Sequence, residues 1–296
     1  MSDLQTALAG ESPPLVTPFH ADGDVDHDAL TAVVDHAVTG GVDGLFACGT
    51  TGEFASLTAA EQRSTIETVV DASGDTPVLA GVASTAMADV VERAEAAAAA
   101  GADAAVLTPP FFHTAEDPAG VEAFVQQVAD RSPLPLVLYN IPGYVGTSFA
   151  VETVGALADR PDVIGIKDTS GELDYTLALD RATPPAFLVL QGYDTILLPS
   201  LRMGLDGGIN ALANVVPEVY ATLMDEPGSD RARQAHDALA DLFDVCLDVG
   251  FASGVKTALV HRGVIERDAV RPPLTPTPES EHERIASAVA AARDAI

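Results

Sequence analysis

Short uninterrupted apolar runs alternate along the chain with longer stretches in which apolar positions recur every three or four residues. A run of four to eight apolar residues suits a strand buried on both faces, whereas the wider spacing lays one stripe of a helix against a core. Eight runs read as strands: 13–19 (PPLVTPF), 43–49 (DGLFACG), 77–82 (PVLAGV), 102–109 (ADAAVLTP), 135–140 (PLVLYN), 163–168 (VIGIKD), 186–192 (AFLVLQG) and 207–212 (GGINAL). Helical segments such as DHDALTAVVDHAVTG and ADVVERAEAAAAAG lie between them, closed by glycine, which ends a helix in a left-handed conformation. LTAAEQRSTIETVVDASG opens on Thr58 with Glu61 three residues later, a capping box in which two free backbone N–H groups are satisfied reciprocally.

Eight strand–helix units predict an α/β fold, a (β/α)8 TIM barrel. A doubly wound sheet is the rival, but it rarely needs eight regular units, and no GxGxxG follows the first strand. From residue 216 the strand pattern stops. Four helical segments follow, with the proline-rich RPPLTPTPES as a connector before the last. The expected organisation is a barrel over 1–215 and a C-terminal helical extension over 216–296 packed on it.

Composition narrows the function. The chain has 296 residues, is 47% hydrophobic and carries 44 acidic side chains for a net charge of -29. That charge repels nucleic acid and anionic membranes, which need basic footprints. It also destabilises the compact state unless ions screen it, so acidic abundance with scarce lysine points to adaptation to molar salt. Cys48 and Cys246 are too few for a disulfide scaffold or a cysteine zinc site, and the seven histidines show no metal-binding spacing. Asp22, Asp24 and Asp26 read as an acidic turn without the terminal Glu of a calcium loop. No metal is expected. MSDLQTALAG lacks the features of a signal peptide and no apolar run is long enough to span a bilayer, so a cytoplasmic location is expected.

Barrel enzymes build their sites at the C-terminal ends of the strands. Those ends supply Thr17, GTTGE (49–53), TPPFF (108–112), YNIP (139–142), Lys167 with Asp168, Gly192 and Asn210. Lys167 stands out because the chain has one other lysine, Lys256. Burial of a lysine favours the neutral amine, the nucleophile that forms a Schiff base with a ketone or aldehyde. The alternative is an ion pair with a carboxylate such as Asp168 at the rim. Tyr139 ends the preceding strand, where its phenol could move protons or simply be a satisfied core hydroxyl. GTTGE offers hydroxyls and backbone donors for a carboxylate, with Glu53 read as structural. Lys256 is expected on a peripheral helix, its stem over apolar neighbours. His113 is the one histidine near the expected mouth.

GTTGE, YNIP and IKDTSG, in this order and each at a strand end, resemble the motifs of the dihydrodipicolinate synthase and N-acetylneuraminate lyase family of class I, lysine-dependent aldolases. The likeness runs over residues 10 to 260. It implies that Lys167 forms the Schiff base with pyruvate or another 2-keto acid and that Tyr139 shuttles protons. Thr50 and Thr51 would hold the substrate carboxylate, and Gly192 and Ile209 would line the pocket with their backbone. It also implies a homotetramer, a dimer of tight dimers, with no metal and no organic cofactor.

Two positions depart from the family pattern. Tyr144 stands where dihydrodipicolinate synthases carry an arginine for the distal carboxylate of the amino-aldehyde. Phe112 stands where they carry a tyrosine that crosses the dimer interface to a proton relay. Both argue against the synthase. Organisms of high salt commonly degrade glucose through 2-keto-3-deoxygluconate and have little need of sialic acid. The resemblance therefore implies an aldolase cleaving 2-keto-3-deoxygluconate to pyruvate and glyceraldehyde, its partners a small-molecule 2-keto acid and an aldehyde. A 2-keto-3-deoxy sugar acid dehydratase, N-acetylneuraminate lyase and dihydrodipicolinate synthase are the alternatives.

Overall fold

A computed structural model of the chain describes residues 2–113 and 117–296. Among these, strands β1 (Leu45–Ala47), β2 (Val78–Gly81), β3 (Ala104–Leu107), β4 (Leu136–Asn140), β5 (Val163–Asp168), β6 (Leu188–Gln191) and β7 (Gly207–Gly208) lie side by side in chain order, each parallel to the next. Helix α1 (Asp3–Leu8) precedes them. Helices α2 (His27–Thr39), α3 (Ala59–Ala72), α4 (Met87–Ala100), α5 (Pro118–Ala129), α6 (Pro142–Val145), α7 (Val151–Ala158), α8 (Leu173–Ala182) and α9 (Leu197–Arg202) alternate with the strands, and α10 (Pro217–Asp225), α11 (Asp230–Asp248), α12 (Phe251–His261) and α13 (His282–Asp294) follow β7. The run VIGIKD is β5 from end to end, and the Thr58–Glu61 capping box opens α3 as expected.

The first apolar run departs from expectation. Residues 13–19 form no regular strand, because Pro13, Pro14 and Pro18 have no N–H to give a ladder. The residues just before and within it nevertheless connect both edges of the sheet. Ser12 and Leu15 donate backbone N–H groups to the carbonyls of Gly208 (3.0 Å) and Phe46 (2.9 Å), while Gly208 and Phe46 donate to Gly10 (2.8 Å) and Pro13 (3.0 Å). The eighth position of the ring is thus held by an irregular, proline-rich segment. A Cβ on Gly207 would lie 2.1 Å from the Gly10 carbonyl oxygen, so this seam closes only on glycine. The last run also shortens: beyond Gly208 the chain turns into a 3-10 helix at Ala211–Asn214.

Side-chain alternation along the strands builds two apolar layers. Phe46, Val106, Val137, Tyr139, Leu190 and Ile209 fill the inside of the ring, whereas Leu107, Leu136, Leu138, Ile166 and Val189 pack outward with α5 and α7. The helices beyond residue 216 are not a loose appendage. Tyr220, Leu242, Leu259 and Ile285 share one buried cluster with Leu30 of α2 and Ala47 of β1. No helix among the described residues is long and apolar enough to cross a membrane.

Candidate active site

A one-residue shift of register decides where Lys167 points. Leu136 of β4 pairs with Val163 of β5, but Val137 pairs with Gly165, so Ile164 has no partner of its own. Val163 packs outside the ring, and strict alternation from it would send Lys167 outside too. The bulge inverts the parity, so Lys167 pairs with the inward Tyr139 and Asp168 with the outward Asn140. Asp168 is spent there: it accepts hydrogen bonds from Asn140 (2.8 Å), Ser170 (2.9 Å) and Thr176 (2.7 Å). It is therefore no rim partner for the lysine.

Lys167 is 3% exposed, and its Nζ lies 4.3 Å from the centre of the Tyr139 ring and 5.5 Å from that of Phe46. The Tyr139 hydroxyl is 3.4 Å from the Thr50 hydroxyl. Lys167, Tyr139, Thr50, Thr51, Gly192 and Ile209 all line one cavity of about 140 Å³ that opens at the C-terminal ends of the strands. The six residues singled out from the sequence are thus brought together. Thr17, Asn210, Arg202 and His113 are not in its wall. Thr17 donates to the Gly52 carbonyl (2.7 Å), Asn210 meets Glu11, and Arg202 binds the Pro227 carbonyl (2.7 Å) at the surface.

The cavity also has walls that the sequence reading missed. Thr169 follows Lys167 by two residues, and its hydroxyl is buried without a hydrogen-bond partner among the described residues. Asp194 follows Gly192 by two, buried, bonded to the Tyr220 hydroxyl and to the Leu212 N–H at 3.1 Å. The motif neighbourhoods IKDTSG and QGYD were signal enough for these two. Phe243, Leu247 and Phe251 come from α11 and α12 and form an apolar upper wall with Tyr144. Their helical spacing reads only as core, so nothing local announced them.

Burial pushes the carboxyls of Glu11 and Asp194 above the ordinary range, and the positive charge of Lys167 opposes the shift in both. Among the described residues, no group of three or more His, Cys, Asp or Glu side chains is placed to hold a metal.

Gly192 has a steric reason to be glycine. A Cβ there would lie 2.1 Å from Thr169 Oγ1, 2.7 Å from Lys167 Cε and 3.0 Å from the Asp168 carbonyl oxygen. Gly192→Ala is expected to displace the lysine and lower kcat/KM about 100-fold, the scale on which a misplacement of about 1 Å acts. A folded variant with wild-type kcat/KM would contradict this placement.

Lys256 is not peripheral. It lies on α12 but is fully buried, donating to Glu53 Oε1 and to the Ala269 carbonyl (2.7 Å), and burial pulls its pKa down to about 8. Its role follows from Glu53, at the end of the GTTGE turn.

Comparison with known proteins places the chain in a family. Residues 7–292 match the Dihydrodipicolinate synthetase family. The chain is 35% identical over 287 residues to the 4-hydroxy-tetrahydrodipicolinate synthase of Natronomonas pharaonis, covering 96% of this chain and 97% of the relative. It is 38% identical over 284 residues to the enzyme of that name from a Synechococcus species, covering 94% and 93%. Among solved structures, YagE of E. coli K12, a prophage protein of the dihydrodipicolinic acid synthase family crystallised with pyruvate, superposes with a TM-score of 0.91 at 32% identity, over 96% of this chain and 98% of that one.

Proposed function

The chain belongs to the dihydrodipicolinate synthetase family, and on that premise we propose that it is a lysine-dependent aldolase cleaving 2-keto-3-deoxygluconate to pyruvate and glyceraldehyde. The observation that carries this reading is the charge of the cavity wall. Lys167 is the one cationic side chain lining it among the described residues, and Tyr144 stands at the mouth, 75% exposed. A substrate with one carboxylate and an uncharged, hydroxylated tail matches that wall. A second carboxylate would lack a bidentate cation. The unpartnered Thr169 hydroxyl supports the same choice, since a sugar hydroxyl would satisfy it.

In this mechanism the neutral amine of Lys167 attacks C2 of the keto acid, and the carbinolamine loses water to give the iminium. Tyr139 carries the protons of these steps, with Thr50 beside its hydroxyl, while Thr50 and Thr51 hold the C1 carboxylate. The iminium takes up the electron pair of the C3–C4 bond as the C4 hydroxyl gives up its proton, which releases glyceraldehyde and leaves an enamine. Protonation at C3 and hydrolysis then free pyruvate and the lysine. The assembly proposed with this function is a homotetramer in the cytoplasm, in which Phe112, 87% exposed in the single chain, is covered by a second copy.

The names of the relatives favour a second reading, a 4-hydroxy-tetrahydrodipicolinate synthase joining pyruvate to an amino-aldehyde. Initial rates at molar salt separate the two. Pyruvate release from 2-keto-3-deoxygluconate is expected to exceed condensation of pyruvate with aspartate semialdehyde, and Tyr144→Arg should narrow the gap. Preference of the unaltered protein for aspartate semialdehyde would establish the synthase instead. Loss of water from the sugar acid without glyceraldehyde would mark a dehydratase.

A further inference from the structure

The turn that carries Thr50 and Thr51 lies between two non-glycine residues in the left-handed region, Cys48 at φ 57° and Glu53 at φ 56°. That conformation crowds a Cβ against the backbone and persists only where the surroundings hold it. The hold on Glu53 comes from more than 200 positions along the chain. Lys256 of α12 donates to Glu53 Oε1, and the backbone N–H of Arg271 donates to Oε2 at 3.0 Å.

Both cations are themselves fixed. They lie over the Phe19 ring at 4.2 Å (Lys256) and 4.5 Å (Arg271) from its centre. The Arg271 guanidinium also donates to the carbonyls of Gly23 (2.7 Å) and Ser56 (2.8 Å) and pairs with Glu61 of α3. Glu53 and Lys256 are both fully buried at the side chain, and neither lines the cavity. A buried ion pair adds little net stability over an apolar replacement, but it is satisfied in only one geometry. Here that geometry belongs to the turn whose Thr50 and Thr51 line the same cavity as Lys167.

We propose that Lys256 and Arg271 are positioning residues: through Glu53 they hold residues 49–53 in the conformation that presents Thr50 and Thr51 to the substrate carboxylate. The inference rests on the proposed role of those threonines. It gives the helices beyond residue 216 a part in substrate binding as well as in the core.

Borohydride trapping of pyruvate on the protein, followed by mass spectrometry as a function of pyruvate concentration, tests it. Glu53→Gln keeps the shape and an acceptor while removing the charge, and Glu53→Gln/Lys256→Met leaves neither ion. Half-saturating pyruvate should rise about threefold in the first and about tenfold in the second, with the trapping rate at saturation changed less than about threefold, the signature of lost binding without lost chemistry. Thermal melting reads stability separately. If the double variant does not fold, the single variant decides. A folded variant whose half-saturation stays at the wild-type value, or one in which only melting changes, reduces the pair to a structural staple. Absence of trapping in the unaltered protein would instead sink the Schiff-base reading.

Discussion

Replacing Lys167 with methionine is expected to abolish pyruvate release, a loss of about four orders of magnitude or more, as when a nucleophile is removed from an enzyme that works through a covalent intermediate. Methionine approximates the length of the lysine stem and keeps its apolar contacts. The change does not strand Asp168, which faces outward and is satisfied by Asn140, Ser170 and Thr176, whereas Glu11 and Asp194 lose the positive charge that opposed their upward shift. The variant should fold, because the stem contacts are kept, while borohydride no longer fixes pyruvate to it. Retained turnover, or a pyruvate adduct on another peptide, would remove Lys167 from the chemistry.

Tyr139→Phe is expected to lower kcat by about 100- to 10,000-fold, the contribution of a positioned proton-transfer group. The ring is a packed part of the barrel interior, edge-on to Phe46 with centroids 6.4 Å apart, and phenylalanine preserves that packing. What disappears is the hydroxyl 3.4 Å from Thr50. Imine formation should slow along with cleavage, because the same hydroxyl serves both, while half-saturating pyruvate moves much less. Rapid trapping with unimpaired turnover would show that another group carries the protons. The two variants are also distinguishable from each other: the phenylalanine protein still forms the adduct slowly, and the methionine protein never does.

Much of this arrangement is local and so could be read from the residues alone. Seven of the eight apolar runs contain a strand, and VIGIKD is one from end to end. The Thr58–Glu61 box is satisfied within four residues and needs no tertiary help. Three short motifs at strand ends named four residues of the cavity wall, Thr50, Thr51, Tyr139 and Lys167, since parallel strands of one ring deliver their ends to one mouth. The proline-rich start misled because its apolar pattern is that of a strand while its missing N–H groups allow only scattered bridges. Lys256 misled for another reason. Its helix is amphipathic by pattern, and nothing nearby says that a glutamate some 200 residues away waits for the amine.

The sequence by itself therefore determined the strand–helix order and the residue types available at the strand ends. Those follow from residue type and short-range periodicity. Only the tertiary structure decided that Lys167 faces inward, because the unpaired Ile164 reverses the alternation only in the register with β4. It alone also set the apolar roof from α11 and α12 and the grip of Lys256 on Glu53. Pairing register and long-range ion pairs depend on which segments meet in space, and a linear pattern of apolar and polar residues does not carry that information.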